Sequence, residues 1–68
     1  MRFIYDVTYE QKFGGEWYEY TDTVVGGVDG FSAIEKVKKK ALDEAMGELG
    51  CTGFRLISLT RDKRSIDY

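Results

Sequence analysis

Apolar and polar positions alternate from the start of the chain: Phe3, Tyr5, Val7 and Tyr9 interleave with Arg2, Asp6, Thr8 and Glu10, leaving only Ile4 out of place. A period of two is the mark of a strand with one face in water. Lys12-Phe13-Gly14-Gly15 follows, and paired glycines supply the positive φ angles of a tight hairpin. A second strand is expected from Glu16 to about Val25. An even-numbered turn puts Tyr18, Tyr20 and Val24 on the face of Phe3, Tyr5, Val7 and Tyr9, and sends Trp17, Thr21, Thr23 and Val25 to the other. The even turn is preferred because it gives a helix an aromatic floor.

The period then changes. Val28 to Gly50 is the one segment long and periodic enough for a helix, with Ile34, Val37, Ala41, Leu42, Ala45 and Leu49 on one face and Glu35, Lys36, Lys39, Lys40, Asp43 and Glu44 mainly on the other. Asp29, or Ser32 with Glu35 three residues on, is the expected N-cap, and Gly50 the left-handed stop. Lys38 falls inside the apolar arc, one turn from Ile34 and Leu42, so its stem should lie along the core edge with its ammonium in water or on a partner's carboxylate. Phe54 to Thr60 reads as a third strand, and Arg61-Asp62-Lys63-Arg64 as its frayed end or as a turn into a short fourth strand ending at Ile66.

Strand, strand, helix, strand implies an α+β fold in two layers, a ββαβ unit with one helix on one face of a small antiparallel sheet. The third strand pairs antiparallel only beside the first, so the expected order is 2-1-3. No proline, repeat or low-complexity tract divides residues 1–68, and a single domain follows. The other sheet face, with Ile4, Trp17 and Val25, has no second layer to cover it.

Composition and charge narrow the chemistry. With one cysteine, Cys51, and no histidine, neither an intramolecular disulfide nor a Cys/His zinc set is available, which points to a reducing, cytoplasmic setting. The alternating start does not resemble a signal peptide, and no apolar run reaches membrane-span length, so no membrane association is expected. Serine or cysteine nucleophiles lack a histidine base, Cys51 sits in a loop after a helix C-terminus where a thiolate is disfavoured, and the glycine pairs do not match a phosphate loop. No catalytic residue, metal ligand or cofactor site is assigned, and no enzymatic activity is expected.

Charge divides the chain: residues 1–30 hold two basic and six acidic side chains, residues 31–68 eight basic and six acidic. In the acidic hairpin, Glu16, Trp17, Tyr18, Glu19 and Asp22 are the candidate contacts for a protein partner with a basic surface, since Tyr and Trp favour interface cores and negative charge steers association. The same apolar face could close a homodimer over Trp17. The alternative is a small nucleic-acid-binding or regulatory protein using Lys36, Lys38, Lys39, Lys40, Arg61, Lys63 and Arg64, against which stands the net charge of −2. In size, acidity and element order the chain resembles the small phage and mobile-element proteins that include the anti-CRISPR inhibitors. That resemblance implies stoichiometric, non-enzymatic inhibition of a host nucleic-acid-handling complex. These proteins share no motif, so it assigns no residue a role.

Overall fold

The computed structural model describes residues 2–66, and side chains as far as Asp62. Strand β1 (Arg2–Phe13) turns directly into β2 (Glu16–Gly26); helix α1 (Phe31–Asp43) crosses one face; a two-residue strand β3 (Ala45–Met46) leads into the long β4 (Leu49–Ile66). All pairings are antiparallel, in the order β2-β1-β4-β3, so β1 lies inside the sheet as the strand polarities require.

The even turn is present. Phe13 faces Glu16 across a two-residue loop in which Gly14 and Gly15 both take positive φ, 58° and 86°, matching the twist of the strands it joins. Register then places Tyr20 opposite Tyr9 and Val24 opposite Tyr5, on the helix side. Tyr5, Val7 and Tyr9 meet Ala33, Val37 and Ala41 of α1 in the core, with Phe3, Tyr20, Val24, Phe54 and Leu59 packed around them.

The helix differs from the sequence expectation at both ends and in the face it buries. Its N-cap is Gly30, at φ 74°, because a Cβ there would stand 2.8 Å from Leu59 Cδ2 and 3.2 Å from the Tyr5 ring. Only glycine combines that close approach with a left-handed backbone. Asp29, one residue outside, still accepts the Phe31 N–H at 3.1 Å, while Ser32 Oγ is turned back to accept the Gly27 N–H at 2.6 Å. At the other end α1 stops at Asp43, seven residues before Gly50. Glu44 is extended, and residues 45–50 form a tight hairpin in which Gly47, at φ 62°, takes the left-handed position.

Gln11 meets the helix at its C-terminal end. It occupies an inward position of β1, is 1% exposed, and its Nε2 donates at 2.8 Å to the Ala41 carbonyl, which also accepts the Glu44 N–H at 3.2 Å. Pinned there, α1 seats Ala33, Val37 and Ala41, spaced four apart, against the sheet. Ile34 is half-buried, Leu42 is 43% exposed and Ala45 is exposed, so the apolar arc of the sequence is rotated away from the core and Lys38 lies in water. At about 1.5 Å per residue the helix spans about 20 Å of a molecule 40 Å long. The sheet therefore runs on beyond it towards the β1–β2 turn.

The short fourth strand is also relocated. No turn interrupts residues 61–66, which continue β4 beside the start of β1; the extra strand is β3, cut from the expected helix. Three register shifts along β1–β4 take up the surplus length of β4.

Candidate protein-binding surface

The five hairpin candidates all lie on β2, which is a sheet edge, and strand alternation divides them between its two sides. Glu16, Tyr18 and Asp22 share the helix side with Phe13 and Tyr9, while Trp17 and Glu19 project to the open side with Lys12 and Glu10. They thus share an edge and not a face. Glu16 and Glu19 are exposed; Trp17, Tyr18 and Asp22 are half-buried.

On the helix side the acids engage tyrosines. Tyr9 donates to Asp22 Oδ2 at 2.8 Å, and Tyr18 donates to Glu16 Oε2 at 3.0 Å. Burial first, and then the bond to the Asp22 carboxylate, push the Tyr9 hydroxyl well above the usual tyrosine range. Tyr18 is raised chiefly by its bond to Glu16. Tyr9 also stacks on Phe54 at 5.4 Å between ring centres, and Tyr20 tilts against it at 6.1 Å.

The open face is a polar ladder and not an apolar patch. Thr8 and Thr21 hydroxyls meet at 3.1 Å, Thr23 donates to Asp6 at 2.8 Å, and Arg55 donates to Glu10 at 2.9 Å. The same guanidinium lies 3.8 Å from the centre of the Trp17 ring, with Lys12 Nζ 5.7 Å from it. Gly53 makes room for this stack, since a Cβ there would be 2.9 Å from the indole. Ile4 and Val25 face each other at the opposite end of β1, eight residues from Lys12 and so about 26 Å from Trp17. Trp17 and Ile4 do not join into one surface.

The basic candidates are distributed differently from a phosphate-binding stripe. Lys36 Nζ donates to the Val25 carbonyl at 2.8 Å, and Lys40 is 3.5 Å from Asp22 and 4.0 Å from Glu44. Lys38 and Lys39 are exposed on the helix, with no ion pair among the described residues. Arg61 lies over the Phe3 ring at 4.5 Å. The side chains of Lys63 and Arg64 fall outside the described residues. Cys51 is half-buried and donates to the Gly53 carbonyl at 3.2 Å.

Two contributors escape a sequence reading. Arg55, which orders Trp17 and Glu10, lies 45 residues beyond Glu10 in sequence, and only the β1–β4 register unites them. Gln11 was visible in principle, as the one polar residue in the inward series Tyr5, Val7, Tyr9, Gln11, Phe13. Among the described residues there is no concave pocket, no cluster of His, Cys, Asp or Glu of metal-binding size, and no helix long and apolar enough to cross a membrane. No protein-family model, curated protein or solved structure matches the chain.

Proposed function

We propose that the chain is a non-enzymatic protein-binding module that lays its β2 edge on a basic surface of another protein, as a stoichiometric inhibitor of a nucleic-acid-handling complex would. The observation that carries this reading is the segregation of charge by element. Strand β2 contains Glu16, Glu19 and Asp22 and no lysine or arginine, and it forms one whole margin of the sheet. Tyr18 and Tyr20, both half-buried, add rigid aromatic area between the carboxylates. Lys36 holds the Val25 carbonyl, so that end of the edge is closed to an added strand and a partner docks on side chains.

Reversing the two exposed acids, Glu16→Lys with Glu19→Lys, is expected to lower affinity for the partner at least tenfold and to remove most of the salt dependence of the association rate. Unchanged affinity and rate would overturn the reading. A second reading is favoured by Lys38 and Lys39, free of carboxylates on the helix. On that reading low-salt titration with single-stranded DNA or RNA gives binding that Lys38→Glu with Lys39→Glu abolishes.

A further inference from the structure

The lysines of α1 are of two kinds. Lys36 and Lys40 lie on its β2 flank, where the first donates to the Val25 carbonyl and the second pairs with Asp22. Lys38 lies elsewhere. At 3.6 residues per turn it shares an arc of about 60° with Phe31, Glu35 and Leu42, on the surface turned away from that flank. All four are exposed, Phe31 to 65% and Leu42 to 43%. Glu35 and Lys38 have no ion pair within the chain among the described residues. Exposed apolar residues scattered singly are ordinary. These four are ordered. They stand four, three and four residues apart and run apolar, acidic, basic, apolar, a pattern that reads the same backwards with its two charges exchanged.

Such a stripe is complementary to itself. We infer that the chain self-associates through it, α1 against α1 of a second copy, antiparallel about a two-fold axis midway between Lys36 and Val37. Phe31 of each copy then lies level with Leu42 of the other, and Glu35 level with Lys38, so the apolar ends and the charges between them are matched together. The axis falls near the middle of α1, and the two helices overlap along nearly their whole length. Parallel pairing would set Glu35 on Glu35 and Lys38 on Lys38, and sliding the antiparallel pair by one turn would part each charge from its partner; the charges therefore select direction and register. Size sets the strength. Four side chains from each 13-residue helix are far fewer than the about 20–30 residues a side of a standard interface, so the pair is weak, with a dissociation constant on the order of 100 μM. At the low micromolar concentrations of an unfolding measurement the chain is a monomer. The acidic β2 edge lies on the other flank and remains free, so the inference is independent of what β2 binds. It does occupy Lys38, which the nucleic-acid reading requires.

The test is the mass of the full chain by sedimentation equilibrium from about 10 μM to about 1 mM, a range that brackets the expected constant. The wild type should pass from 7.8 kDa towards twice that value. Phe31→Ala should weaken the pair about tenfold, since it empties both apolar contacts. Glu35→Lys and Lys38→Glu, each alone, set like charges level with one another and should stay at 7.8 kDa throughout, with the far-ultraviolet circular dichroism of the wild type. An equal mixture of these two variants should associate at least as tightly as the wild type, because one stripe then carries two bases and the other two acids. Neither loss of fold nor a charge effect within one helix can produce that recovery. A wild type still at 7.8 kDa at the highest concentration, single variants that dimerise as the wild type does, or a mixture no more associated than its components would overturn the assignment.

Discussion

Gln11 and Tyr9 show how single polar groups decide the geometry of so small a core. Gln11 stands where the alternation of β1 calls for an apolar side chain, yet its amide gives the Ala41 carbonyl a second donor beside the Glu44 N–H. Replacing it by leucine keeps the volume and removes the shorter of that carbonyl's two hydrogen bonds, leaving the Glu44 N–H at 3.2 Å, so Gln11→Leu should cost about 0.5–1.5 kcal/mol in denaturant unfolding. Leu42→Ala, at a residue 43% exposed, should cost less than about 1 kcal/mol. The sequence pattern alone, which places Leu42 in the core, assigns it a much larger penalty. Tyr9 makes a pH prediction. The residue is 3% exposed, its hydroxyl is bonded to Asp22, and the folded state holds that hydroxyl above its ordinary value of 10.0. Both states are protonated below pH 10, so the contribution is intact there. As pH rises past 10 the unfolded chain ionises first and stability falls. Tyr9→Phe should flatten that alkaline loss in equilibrium unfolding followed against pH; an unchanged slope would show that Tyr9 is not its source.

At the scale of elements, what was legible depended on how local the determinant is. The β1–β2 hairpin could be read residue by residue, because alternation and a Gly-Gly pair set register within a few positions. The helix was legible as an element but not in its bounds. Its start depends on Gly30 fitting between Tyr5 and Leu59, and its last turn is held to β1 by Gln11, contacts made across twenty to thirty residues of chain. Losing the C-terminal third of the expected helix to β3 then rotated the buried face from Ile34 and Leu42 to Ala33, Val37 and Ala41. Strand β4 runs from Leu49 to Ile66, well beyond the Phe54 to Thr60 segment with strand-like composition, because pairing with β1 extends it through residues of weak propensity. Gly30→Ala tests the seat of the helix. It forces a Cβ into Leu59 at a φ of 74°, and about 1–3 kcal/mol of destabilisation is expected in thermal or chemical unfolding. A neutral outcome would mean that the loop before α1 is free to re-form.

For the whole molecule, the helix covers about half the length of one sheet face, and the remaining surface is ordered by edges. One margin is acidic and guarded at its end by Lys36; the other is open, apolar at its middle and of mixed charge at its ends. The open sheet face, where Trp17 and Ile4 were expected to form an apolar patch, is occupied instead by threonine, carboxylate and arginine contacts that need no cover. That distinction could not be read from sequence, because Arg55 reaches Trp17 and Glu10 only through the β1–β4 pairing. The candidate hairpin residues consequently lie along a rim of the sheet. The most direct measurement of this account is amide hydrogen exchange of the chain alone and with the protein partner proposed for it, resolved along the sequence. Binding through the acidic margin predicts new protection concentrated in Glu16–Asp22, with β4 unchanged. New protection centred on Lys38 and Lys39, or on Leu56 and Ile57, with none on β2, would contradict it.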